Sequence, residues 1–237
     1  AQQRAVSLTS ELKRNLLNGG VGKRQLLVVI TGDRGLCGAI NSNIVKTAHK
    51  YFRLQLSLGY QPKLMLIGKK AEAYFKRHEP ANIVKIFQGF STRPISAEAL
   101  SEIKQQIIEQ FDQALIDSAR LFFARFKSAI NQEIENQILI PEQKNQPSPA
   151  AVTNFFDYEP EPEILLPDLA HNFLATSLKQ ALYETYASEQ GARMTAMDNA
   201  VNNCSALIKR LSLLYNRTRQ AKITTELIEI IAAVETV

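Results

Sequence analysis

Tryptophan is absent from the 237-residue sequence, which has only three histidines (His49, His78, His171) and two cysteines (Cys37, Cys204). Two distant cysteines make neither a disulfide framework nor a Cys/His zinc pattern, so a reducing compartment is the expectation. Three scattered histidines leave little material for general acid–base or metal chemistry. No apolar run approaches the roughly 20 residues that a membrane-spanning helix needs. No secretory signal pattern is visible, and a start on Ala1 is what a processed chain or a fragment has. Charge of one sign is only mildly in excess. The net charge is +5 and the pI about 9.2, which suits an acidic protein surface, nucleic acid or anionic lipid without choosing among them. What remains is ordinary for a folded chain, with 45% hydrophobic and 22% charged residues, enough for one or two domains.

Residues 1–18 carry Val6, Leu8, Leu12, Leu16 and Leu17 among polar neighbours and read as the end of a helix, which Gly19, Gly20 and Gly22 stop. Gln25–Thr31 is a short continuous apolar run, as expected of a strand buried on both faces. Then come helical spacing over Ser42–Leu58, a strand at Lys63–Ile67, a helix at Lys69–Arg77 and a strand at Asn82–Phe87. Ser96–Leu115 is a helix with Ser96 as its N-cap. Ala119–Phe126 and Glu133–Ile140 are two more strands, the last at an edge. This alternation predicts an α/β domain over 25–140.

Composition then changes. Six of the nine prolines fall between Pro141 and Pro167, which reads as a linker, and none follows Pro167. Residues 168–237 therefore read as one helix, roughly 100 Å long at about 1.5 Å per residue. Met194, Met197, Val201, Cys204, Ile208, Leu211, Tyr215 and Thr218 alternate steps of three and four, which is a heptad seam that asks for a second helix. A core helix of a bundle has the same spacing, but this chain has no other long helix to form one.

The stretch TGDRGLCGAIN, Thr31–Asn41, follows the first strand and has the look of a phosphate loop. A Walker A loop needs a lysine and a hydroxyl after its last glycine, and here Ala39 and Ile40 follow Gly38. The dinucleotide fingerprint needs G-x-G, which Gly32-Asp33-Arg34 breaks, and Asp33 would repel phosphate. Cys37 as a nucleophile lacks a nearby histidine base. The expectation is instead that the glycines serve positive-φ turns and close packing, that Cys37 is a small, partly buried residue, and that Asp33 and Arg34 are presented to a partner. No cofactor or metal is called for.

Three motifs, TGDRGLCGAINSN (Thr31–Asn43), SEQGARMTAMDNA (Ser188–Ala200) and YNRTRQAKITTEL (Tyr215–Leu227), resemble the gamma subunit of rotary F-type ATP synthases, and the resemblance extends from about Gln25 to Ala233. It implies a Rossmann-like, mostly parallel sheet domain inserted between two long helices that form an antiparallel coiled coil. Residues 1–18 would be the end of the N-terminal helix, 25–140 the foot, 141–167 the linker and 168–237 the C-terminal helix. The implied function is that of a non-catalytic central-stalk rotor that couples ion-driven rotation to conformational change in catalytic beta subunits. One copy would turn inside three alpha and three beta subunits, with its foot on the c-subunit ring beside epsilon. It would lie peripherally on an energy-coupling membrane, on the cytoplasmic side of a bacterial plasma membrane, or else on the matrix side of a mitochondrial inner membrane or at a thylakoid.

By the same resemblance Asp33, Arg34, Cys37, Arg193, Arg219, Gln220 and Thr224 would contact other subunits. Leu227, Ile228, Ile230, Ile231 and Val234 would form an apolar bearing. From Arg193 to Lys222 six basic residues stand against Asp198 alone, which suits an acidic partner. The family's usual N-terminal lysine- and alanine-rich stretch has no counterpart here, and Glu235 and Thr236 replace small apolar residues, which alters the bearing. Two other classes compete. An independent α/β enzyme with a helical oligomerisation tail would need a catalytic constellation, and a nucleic-acid binder would need a denser basic run.

Overall fold

The computed structural model describes Leu16, Gly19, Gly20 and residues 22–89, 96–141 and 162–235, with side chains of the last segment described from 168 to 231. The helix end expected over residues 1–18 and most of the linker expected over 141–167 lie outside the described residues. Five strands and four helices follow one another: β1 (Arg24–Ile30), α1 (Ile40–Ser57), β2 (Gln61–Ile67), α2 (Lys69–His78), β3 (Ile83–Phe87), α3 (Ala97–Asp112), β4 (Ser118–Phe126), β5 (Gln132–Ile140) and α4 (Pro162–Glu235), with a short 3-10 turn at Pro80–Asn82.

The strands form one sheet in the order β3-β2-β1-β4-β5. All neighbours are parallel except β4 and β5, which pair antiparallel and leave β5 at the edge. Successive side chains of a strand point to opposite faces. The continuous apolar run of β1 therefore feeds two cores. Leu26, Val28 and Ile30 pack with Ile103, Ile107 and Phe111 of α3 and Leu174, Leu178 and Leu182 of α4. Leu27 and Val29 pack with Ile44, Ala48 and Phe52 of α1 and Ala71 and Phe75 of α2. Each large apolar side chain so buried contributes about 1.5–3 kcal/mol.

A local signal operates as expected at the start of α3. Ser96 Oγ accepts from Ala99 N at 3.2 Å, capping α3. Gly20 and Gly22 have a packing role. Both lie so close to Asp117 that a side chain on either would overlap it. Asp117 is buried and bidentate to Arg24, which donates from Nε and Nη2 at 2.8 Å each.

The long helix differs from expectation at its start. It begins at Pro162, inside the segment read as a linker. A proline at the first position costs little, because the first four N–H groups of a helix have no partner in it. The chain also divides into two compact units, Ala1–Arg193 and Met194–Val237, rather than at the linker. The first unit takes in the part of α4 that packs on the sheet. In the second, every described side chain from Val201 to Ile231 is exposed.

Candidate functional site

The loop after β1 is built from its own polar groups. Thr31 N donates to Ile67 O at 2.8 Å, and Thr31 Oγ1 accepts from Ala71 N in the first turn of α2. Asp33 accepts from two backbone amides, Lys69 N at 2.9 Å and Gly89 N at 3.1 Å. The positive end of α2 is thus already met by a carboxylate from the same chain. Asp33 is half-buried and tied inward rather than held out for a partner, whereas Arg34 is exposed.

The glycines divide by role. Gly38 has φ +61°, a left-handed turn that favours glycine. At Gly32 a Cβ would overlap the Glu189 carboxylate of α4, so close approach is what requires glycine there. A Cβ on Gly35 would meet nothing nearer than Lys70 Nζ at 3.9 Å, and Gly35 meets neither condition. Beside it Leu36 adopts φ +63° while 75% exposed. A bulky residue in the left-handed region stores strain, which is found at contact and switch sites. Nothing in the spacing of the loop pointed to Leu36.

Cys37 is not a surface contact. It is 3% exposed, with Asn41 Nδ2 donating to its sulfur at 3.1 Å, and Asn41 Oδ1 accepts from Gly32 N at 2.9 Å. Burial first, then the negative charge of Glu189, pushes its thiol pKa above the usual value. Such a thiol is protonated and a poor nucleophile.

Against this loop lies the second motif. Glu189 is 1% exposed and pairs with Arg193 one turn on at 2.5 Å. Arg193 also donates to Gln190 Oε1 at 2.8 Å and reaches Gly35 O at 3.5 Å. In open α/β sheets ligands enter the crevice at the carboxyl ends of the strands where strand order reverses, here between β1 and β4. That crevice is filled by α4 and its Glu189. Sequence reasoning missed Glu189, because a charged residue on a helix is normally solvated. A group of three or more metal-ligating side chains does not occur among the described residues.

The first motif and the start of the second, Ser188–Arg193, are therefore parts of one packed constellation. A family model described as ATP synthase matches residues 2–237. The chain belongs to the ATP synthase gamma chain family. Among its relatives, the gamma chain of Sphingopyxis alaskensis is 42% identical over 228 residues, covering 95% of this chain and 78% of that one. The gamma chain of Cereibacter sphaeroides (strain ATCC 17023) is 40% identical over 228 residues, covering 96% and 78%. A cryo-EM structure of the Tetrahymena thermophila mitochondrial ATP synthase central stalk and c-ring contains a chain 28% identical, with TM-score 0.61 and 85% of this chain covered. A chain of the Euglena gracilis mitochondrial ATP synthase, 19% identical, shares the fold with TM-score 0.65 over 97% of this chain. This gamma-family chain is a central-stalk subunit of F-type ATP synthase.

The third motif lies in the second unit. Arg219 and Gln220 are exposed, as is Thr224, whose hydroxyl donates to Gln220 O at 2.9 Å. Leu227, Ile228, Ile230 and Ile231 are each more than half exposed, while the side chain of Val234 lies outside the described residues. Arg193, grouped with the partner contacts from the sequence, is engaged within its own chain. No helix among the described residues is long and apolar enough to cross a membrane.

Proposed function

We propose that this chain is the turning element that carries ion-driven rotation from the membrane sector to the catalytic head. The observation that carries the proposal is the exposure of Met194, Val201, Ile208, Leu211 and Tyr215, all more than half accessible along one heptad seam. Such a seam is stable in water only when another helix covers it. The segment 1–18 would supply one end of that helix. The paired helices would then turn inside three alpha and three beta subunits, with 25–140 as the foot beside epsilon and the c-subunit ring. The head would hold the catalytic residues, and this chain none.

In this reading Arg219, Gln220 and Thr224 touch beta subunits on the shaft, and the basic excess around them favours an acidic lever. At the loop after β1 the contact falls on Arg34 and Leu36, two long side chains that are exposed, while Asp33 and Cys37 hold the loop's shape. Leu227, Ile228, Ile230, Ile231 and Val234 form the bearing. Apolar side chains suit it, because non-directional contacts need not be broken in register at each step. The complex lies peripherally on an energy-coupling membrane, on the cytoplasmic side of a bacterial plasma membrane.

The test is co-purification of the tagged chain, followed by native mass spectrometry. One copy with three alpha and three beta subunits is the expected result. A self-associating oligomer without those subunits would overturn the proposal.

A further inference from the structure

The helix α4 is held by the sheet domain in a way that an apolar stripe alone does not achieve. The register of β1 along β4 ends at Val29 and Phe122, yet β4 runs on to Phe126. Beyond Phe122 one side of β4 has no strand beside it, and α4 takes that place. Ala124 N donates to Thr185 Oγ1 at 3.4 Å, Ser188 Oγ donates to Ala124 O at 3.2 Å, and Phe126 N donates to Glu184 Oε2 at 2.8 Å.

One turn further on, Glu189 is pressed against Gly32, and Arg193 ties Glu189 to the carbonyl of Gly35. On another side of the helix Gly191 comes so near the β4–β5 turn that a Cβ would sit 2.9 Å from Phe126 Cε2 and 3.2 Å from Ala129 Cα. At about 100° per residue, positions 184 to 193 that make these contacts span roughly 200° of the helix circumference. The compact unit that contains the sheet ends at this same Arg193.

We propose that Thr185, Ser188, Glu189 and their partners on β4 and the Gly32 loop are a torsional clamp, which locks the rotation of α4 about its own axis to the sheet. Hydrogen bonds are directional, so rolling the helix breaks several together, whereas apolar contacts alone yield to a roll by small adjustments. The role rests on the rotor reading. A twist applied to the foot reaches residues beyond Arg193 only if the helix does not slip in its seat. These are positioning residues and touch no substrate.

The experiment uses the whole complex with the catalytic head fixed to a surface and a probe on residues of the foot. Angular fluctuation of the stalled complex reports torsional stiffness. Glu189→Ala is expected to widen the angular variance at least twofold, with subunit stoichiometry and ATP hydrolysis by the head unchanged. Glu189→Gln, which keeps the size and a hydrogen bond to Arg193, is expected to restore most of the stiffness. The double variant Thr185→Val with Ser188→Ala nearly preserves shape and decides the matter if Glu189→Ala fails to assemble. Unchanged variance in assembled double-variant complexes would overturn the clamp. Failure of the rotor reading itself looks different, since the unaltered chain would then not assemble with alpha and beta subunits.

Discussion

One helix contains two regions that obey the same spacing and meet opposite fates. Between Ala170 and Glu189 the inward positions include Leu174, Leu178, Leu182, Thr185 and Ser188, all nearly inaccessible. Between Met194 and Ile231 an equally regular set is exposed. The first set is the more polar at its end, because the open side of β4 offers backbone groups that hydroxyls and a carboxylate satisfy. The second set is the more apolar and meets no such surface among the described residues. Periodicity says which residues share a face; what that face meets is decided by the neighbours.

The comparison is broken most sharply at two i,i+4 ion pairs. Arg193→Ala would leave the Glu189 carboxylate buried without its cation, which costs about 3–5 kcal/mol. Lys222→Ala removes a pair whose side chains are 78% and 58% exposed at 3.9 Å, and no measurable change is expected. Urea unfolding of the isolated chain, followed by circular dichroism, measures both. Next comes a leucine pair. Leu178→Ala, at 0% exposure, is expected to lower stability by about 2–5 kcal/mol, while Leu211→Ala, at 53%, stays within about 0.5 kcal/mol. In the assembled complex the difference narrows, because the proposed coiled coil buries the Leu211 seam.

A threonine pair sharpens it further. Thr185 and Thr224 both donate to the carbonyl four residues back, at 2.8 and 2.9 Å, but only Thr185 also accepts from the sheet. Thr185→Val is expected to cost about 1 kcal/mol and Thr224→Val close to nothing in the isolated chain.

The smallest effect concerns the cysteines. A thiol reagent at neutral pH should modify exposed Cys204 at once and Cys37 only on unfolding. Because the native thiol pKa of Cys37 lies above the ordinary 9.0, the folded state keeps a proton that the unfolded chain releases. Its contribution to stability is present in full below that value and is lost as the pH rises through the native pKa. A urea midpoint that falls as the pH rises above 9.0, and that Cys37→Ala keeps level, would check the sign.

Much of the fold was legible because its signals are local. The apolar run at Leu26–Ile30 marked a doubly buried strand, Ser96 announced a helix start, and the alternation of strands and helices anticipated a mostly parallel sheet. The candidate site was legible only in outline. Its glycine loop was located, and close packing was the right expectation for Gly32, but the packing partner was not named. Asp33 was read as a surface group, since nothing near it in sequence reveals that the amides that donate to it lie on Lys69 and Gly89. Leu36 gave no warning, because a left-handed leucine is a property of the folded loop and of no residue pattern.

By itself the sequence determined what depends on near neighbours: where strands and helices run, which side chains share a seam, and which three motifs mark the family. Only the tertiary structure decided that Asp33 caps a helix 36 residues away and reaches an amide 56 residues away. It alone brought Arg193 to a carbonyl 158 residues distant and buried Glu189 beside a glycine. The reason is physical. Periodicity and capping act over one or two turns of chain, whereas the burial of a charge depends on groups that meet only once the sheet has closed around them.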